Sequence, residues 1–235
     1  MKKTVILALL VLASVANLQA QPKSVERTLQ VPASNKVELQ LKFGDNIKIT
    51  AWDKKEASVK ATYEINGGRL NDVVLLEFES DDKSARVKMD LDYEILKAGK
   101  LEDCPQNGAE STLYIESTKD VSFICKNIDY EIFVPRNADL TVETTDGNIE
   151  LKGLTGPVEA KSISGFVDMN WPQYQGAVVS LQTTSGKIYS DMDLVLPNKG
   201  KAPVAGHQLK GKVNEGGSSI NLESISNDIY FRKQE

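Results

Sequence analysis

One histidine and two cysteines in 235 residues leave little material for hydrolytic chemistry. A Ser-His-Asp or Cys-His set needs an imidazole beside its nucleophile, and His207 alone could supply it. His207 falls in a Gly/Pro-rich stretch and is expected to be an exposed loop residue. Zinc-hydrolase spacings, a phosphate-cradling glycine loop and a dinucleotide fingerprint are all missing. Cys104 and Cys125 lack a supporting histidine cluster, so they make a poor metal site. Basic residues are outnumbered, 28 Lys and Arg against 33 Asp and Glu, for a net charge of −5. Such a chain has no electrostatic footprint for nucleic acid or for an anionic membrane surface. Long helical patterns, heptads and low-complexity tracts are absent. Past the N-terminus no apolar run approaches the ~20 residues that span a bilayer, so membrane insertion is not expected.

The N-terminus is where apolar residues concentrate. Lys2 and Lys3 precede an apolar run from Val5 to Ala13, and Leu18-Gln19-Ala20 offers a small residue for cleavage. This is the layout of a secretory signal peptide, expected over residues 1–20, with cleavage after Ala16 as the alternative. No cysteine lies near either site, which excludes lipid attachment there. Removal leaves 215 residues with a formal charge of −7, expected to form one domain over 21–235 with an N-terminal part, 21–126, and a more regular part, 127–235. In an exported chain the even cysteine count predicts a Cys104–Cys125 disulfide. The expected location is the periplasm or the cell surface.

Period-two alternation bounded by Gly, Asn, Asp and Pro predicts strands. It is clear at Val37–Leu41, Ile47–Ile49, Ala57–Tyr63, Val73–Phe78, Ala85–Leu91, Leu113–Glu116 and Tyr130–Val134. Only Glu94–Asp103 could hold a short helix, weakened by Gly99. Leu196–Gly217, rich in Gly, Pro and Lys, reads as a loop or insertion.

The C-terminal half repeats a turn. Thr144-Thr145-Asp146-Gly147-Asn148-Ile149 is followed by Ser162-Ile163-Ser164-Gly165-Phe166-Val167. Thr183-Thr184-Ser185-Gly186-Lys187-Ile188 and Ser224-Ile225-Ser226-Asn227-Asp228-Ile229 complete the set. A Ser or Thr, two residues, Gly or Asn, one residue, then Ile or Val recurs at spacings of 18, 21 and 41. The longest spacing is about two units, with Gly206 near its midpoint. Asn in place of Gly is compatible with a turn at positive φ. Val142, Thr144, Ile149 and Leu151 share one alternation, matched by Ala160, Ser162, Val167 and Met169 in the next unit. Stacked units burying equivalent positions would produce this, and a period near 20 suits a β-solenoid coil. A β-sandwich with glycine hairpins is the alternative. Val31-Pro32, Val37, Leu39 and Gly44 align with Val134-Pro135, Leu140, Val142 and Gly147 at one offset of 103. After Gly44 the first copy carries one extra residue before its Ile.

The Val-Pro strand end, Leu-Thr-Val-Glu-Thr-Thr-Asp-Gly-Asn-Ile-Glu-Leu at 140–151 and Val158–Met169 resemble the exported "putative adhesin" β-strand-repeat family of bacterial envelopes. The likeness covers Tyr130–Phe231 and, more weakly, Val31–Ile49. It implies an all-β fold, a right-handed parallel β-helix-like stack of about 20-residue coils, with some antiparallel hairpins in the N-terminal half. The family name implies adhesion and supplies no catalytic residues.

Asp146, Asp168, Asp191, Asp193 and Asp228 lie in or near the turns. Aligned, they could hold Ca²⁺ or serve glycoside hydrolysis. They do not recur at one repeat position, no calcium-roll pattern is present, and Asp favours turns by bonding its own backbone. Gly44, Gly147, Gly165, Gly186 and Asn227 are expected to be structural. No cofactor is expected. Trp171 and Tyr174 interrupt the repeat and are candidate ligand contacts on a loop, and Trp52 follows the N-terminal strand pair. The expectation is a non-enzymatic envelope protein with an adhesin-like binding or structural role, its partner a glycan or a surface protein. A carbohydrate-active β-helix enzyme and a periplasmic accessory or sensing protein are the alternatives.

Overall fold

The computed structural model describes residues 22–104, 111–115, 121–196 and 207–234. The expected signal segment, Gly206 and Glu116 lie outside the described residues.

Among the described residues the chain forms eighteen strands and one four-residue helix. The strands are β1 Lys23–Gln30, β2 Lys36–Leu41, β3 Phe43–Trp52, β4 Glu56–Ile65, β5 Val74–Ser80, β6 Ala85–Leu91, β7 Ser111–Ile115, β8 Val121–Pro135 and β9 Asp139–Thr144. They continue as β10 Asp146–Lys152, β11 Val158–Ser162, β12 Val167–Trp171, β13 Ala177–Thr183, β14 Ile188–Ser190, β15 Leu194–Val195, β16 His207–Val213, β17 Ser218–Ser224 and β18 Ile229–Lys233. The helix α1, Tyr93–Leu96, is capped by Asp92, whose carboxylate accepts from the N–H groups of Glu94 and Ile95. It stops well short of Asp103. At Gly99 a Cβ would strike the carbonyl of Phe123, so the backbone is pressed against β8 there.

Two nine-stranded sheets share one core. The first runs β1-β4-β8-β3-β10-β12-β18-β14, with β7 on β8; the second runs β15-β16-β13-β17-β11-β9-β2-β6-β5. The middle of each sheet is parallel; antiparallel pairs form both edges of the second sheet and the β1 edge of the first, whose β14 edge is parallel. In each repeat unit the chain runs along the second sheet, turns at the glycine, and returns along the first. The inward positions are those of the alternation: Val142, Ile149, Leu151, Ala160, Val167, Met169, Leu222, Ile229 and Phe231 are all buried.

The expectation of a right-handed β-solenoid is corrected: the strands form two mixed, largely parallel sheets, and the repeat units do not stack in chain order. The last unit, β17–β18, lies between β11–β12 and β13–β14. After β14 the chain forms β15 and β16, which build outward antiparallel on β13, and then returns to fill the slot left behind. The long spacing therefore holds an antiparallel excursion where a degraded coil was considered. His207 is correspondingly on a strand, opposite Thr183. The alternation of Leu209, Gly211 and Val213 marks β16, but Gly and Lys between them mask it.

The offset of 103 is a register. Val37 pairs with Leu140, and Leu39 with Val142. The extra residue after Gly44 is a bulge: Phe43 faces Asp146, yet Asn46 faces Asn148. β8 runs unbroken across 126/127, so that division of the chain does not separate two bodies.

Candidate functional site

The repeat turns form a ladder at one end of the sheets. A Cβ on Gly147 would fall on the carbonyl of Gly44, one on Gly165 on that of Gly147, and one on Gly186 on that of Asn227. Glycine is needed for close approach of neighbouring backbones. None of these turn residues has positive φ, which corrects the conformational reason given for Asn227. Asn227 fits because its amide reaches sideways to donate to the Ser164 carbonyl at 2.7 Å. The preceding Ser or Thr serves two turns. Ser162 Oγ accepts from Gly165 N at 2.8 Å and donates to Gly147 O at 2.8 Å. Ser224 does the same for Asn227 N and Gly165 O, and Thr183 for Gly186 N and Asn227 O. These hydroxyls are buried, so they build the body and are closed to a ligand.

Beside this ladder, Cys104 is bonded to Cys125, with Cα atoms 5.6 Å apart. The next residue, Lys126, has a side chain only 4% exposed and sits 3.1 Å from Asp45 and 2.9 Å from Asp146. Burial would lower its pKa, but hydrogen bonding and charge from Asp146 and Asp45 outweigh that and raise it. The bulge residue Asp45 also accepts from Ile128 N at 2.7 Å. This cluster ties the bulge to β8, with one cation shared between two carboxylates.

The carboxylates considered for calcium or catalysis each have their own partner. Asp168 is gripped by Arg232, with Nε 3.0 Å from Oδ1. Asp191 accepts from Lys233 N, Asp193 from Lys233 Nζ, and Asp228 from Lys187 N and the Tyr230 hydroxyl. No group of three or more Asp, Glu, His or Cys side chains suited to a metal occurs among the described residues.

The two tryptophans separate sharply. Trp171 follows Val167 and Met169 at even spacing and is fully buried, so its proposed role as a ligand contact is corrected. Its indole N–H donates to Gln175 O at 3.0 Å, closing a turn on which Tyr174 stands 84% exposed. Trp52 makes the same turn, donating to Glu56 O at 2.8 Å. It lies at odd spacing from the buried Ile47 and Ile49, so it faces outward. Its ring stacks on Phe133 at 5.2 Å and 22°.

Trp52 borders a cleft of about 560 Å³ at the end opposite the glycine ladder. Three turns build it: residues 31–35 between β1 and β2, 52–55 between β3 and β4, and 135–137 between β8 and β9. Backbone bonds lock them together: Val31 N to Lys55 O at 3.3 Å, Arg136 N to Trp52 O at 3.0 Å, and Asp139 N to Asn35 O at 2.9 Å. Arg136 is held by Asp53 at 3.2 Å and by Gly153 O at 3.1 Å. Lys54 lies 4.4 Å over the Trp52 ring. The cleft thus offers one indole, stacked on Phe133, with three cations and one carboxylate on a fixed backbone. A pocket of this size admits a small ligand or a few sugar units. Sequence reasoning singled out Trp52 but missed Lys55 and Arg136. The signal was available: the aligned Val31-Pro32 and Val134-Pro135 pairs both lead into turns that line the cleft.

No protein-family profile and no curated protein matches the chain. Among solved structures, a "putative cell adhesion protein" from Clostridium sporogenes ATCC 15579 is similar at a TM-score of 0.54 and 11% identity, over 91% of this chain and 100% of that one. A "putative adhesin" from Bacteroides fragilis NCTC 9343 matches over 92% of this chain and 100% of that one, at 11% identity and a TM-score of 0.26. The first likeness is one of fold; the second is too loose for structural argument.

Proposed function

We propose that this chain is an exported, non-catalytic binding module of the adhesin type, which uses the Trp52 cleft to hold a glycan or a surface protein. The observation that carries this reading is the cleft itself. Three turns fixed to one another present the Trp52 indole and exposed cations, so little ordering entropy opposes binding. The individually partnered carboxylates support a non-catalytic role. The Cys104–Cys125 bond supports an oxidising compartment, in keeping with periplasm or cell surface. The fold shared with the C. sporogenes protein is compatible with adhesion. The test is a screen of the oxidised mature protein against arrayed glycans and intact cell-surface proteins. Saturable binding that weakens at least tenfold in Trp52→Ala is expected. Silence throughout at high micromolar concentration overturns the reading.

A further inference from the structure

We infer that the Trp52 cleft takes an anionic saccharide, with a sugar ring on the Trp52 indole and its carboxylate or sulfate among Lys54, Lys55 and Arg136. This rests on the binding-module reading and names its ligand class.

Charge sets this cleft apart from two other grooves of the described residues. The chain is net −5, yet the ionisable groups lining the cleft are Lys54, Lys55 and Arg136 against Asp53 alone. Two other grooves lack that excess. The one of about 360 Å³ holds Lys42, Lys88 and Lys161 beside Asp90 and Glu143. There Lys42 is paired with Asp90 at 3.0 Å, and Lys161 with Glu223 at 3.2 Å. The one of about 170 Å³ sets Glu38, Glu77 and Glu79 against Arg86 and Lys88. With ion-pair partners counted alike, Glu56 on Lys54 and Glu223 on Lys161, the Trp52 cleft keeps an excess of one cation and these two grooves keep none.

The three cations are differently held, and each can serve an anion. Arg136 uses Nε and Nη1 on Asp53 and Gly153. That fixes the guanidinium plane and leaves Nη2 for a second, planar acceptor. Lys55 enters no ion pair among the described residues. Lys54 sits on the indole, 3.5 Å from Glu56 and 63% exposed. A cation on an exposed ring is weakly bound, so an arriving carboxylate can draw Lys54 aside and uncover the indole. The uncovered surface is broad, flat and apolar, backed by Phe133. Such a surface suits the C–H face of a pyranose ring better than an extended acidic peptide, which offers charge without a flat apolar face.

The chain has two tryptophans, and Trp171 is fully buried, so a ligand-induced fluorescence change reports on Trp52. The oxidised mature protein is titrated with trigalacturonate, its methyl ester, dextran sulfate and an oligoglutamate of matching charge, with calorimetry in parallel. Trigalacturonate or dextran sulfate is expected to bind at least tenfold more tightly than the ester. The tighter of the two identifies the anion as carboxylate or sulfate. Binding is expected to weaken as salt rises and to fall at least tenfold in Lys55→Glu, an exposed change that leaves the thermal midpoint in place. Trp52→Phe is expected to abolish the fluorescence change while calorimetry still detects weaker binding. Equal affinity for acid and ester overturns the inference, as does binding indifferent to Lys55→Glu. An oligoglutamate that matches the sugars overturns it in favour of an acidic peptide. If the wider screen finds a saturable ligand while both anionic sugars fail, the ligand class alone falls. If nothing binds in either, the module reading falls with it.

Discussion

Ser224 satisfies two backbone groups, the buried carbonyl of Gly165 and the part-buried N–H of Asn227. Deleting its hydroxyl removes the buried partner of the Gly165 carbonyl, and an unsatisfied buried polar group costs about 1–3 kcal/mol. Ser224→Ala is therefore expected to lower the unfolding free energy by about that amount, read as a lower denaturant midpoint at an unchanged m-value, and Ser162→Ala to behave alike. A surface serine such as Ser180 is expected to tolerate the same change. The pairing of Ser or Thr with Gly three residues on was legible because each unit repeats it. Its cause was not, since the carbonyl each hydroxyl meets belongs to a neighbouring turn 15 to 59 residues away. The same holds for the glycines, which look like φ specialists in isolation and turn out to be points of close approach.

Strand existence followed from alternation wherever one face is buried. β6 was bounded to the residue, because Ala85, Val87, Met89 and Leu91 alternate cleanly and all are buried. β1 escaped notice: it lies at the edge of its sheet with nearly every residue exposed, so no hydrophobic pattern is required of it. The β5–β6 hairpin yields a prediction at this scale. Its loop residue Asp81 accepts from the N–H groups of Ser84 and Lys83 and from Arg86. These hydrogen bonds, the Ser84 one foremost, lower its pKa from 3.8 to about 2. A carboxylate with a depressed folded pKa contributes stability above its unfolded value and loses it as pH falls through the folded one. Asp81→Asn is thus expected to destabilise the protein at pH 6, with the difference fading between about pH 4 and pH 2, as read from denaturation curves across that range.

The body as a whole depends on its last unit. In a solenoid stacked in chain order, removing the final coil shortens the stack and leaves the rest paired. Here β17 bridges β11 and β13, and β18 bridges β12 and β14. Truncation after Asn214 therefore empties a slot running through both sheets. The shortened chain is expected to lose cooperative unfolding and to be cleaved rapidly by protease, and a folded, protease-resistant product would contradict the strand order. Composition, alternation and the repeated turn were enough to determine a β-rich chain, its inward residues, the offset of the N-terminal copy and its extra residue after Gly44. Those are properties of period and offset, which a linear sequence carries in full. The place of the last unit, the burial of Trp171 and the meeting of Trp52, Lys55 and Arg136 were decided by tertiary structure. Each depends on which unit lies beside which, and units with interchangeable inward faces can stack in more than one order. The excursion through β15 and β16 selects one order by carrying the chain outward before β17 and β18 return.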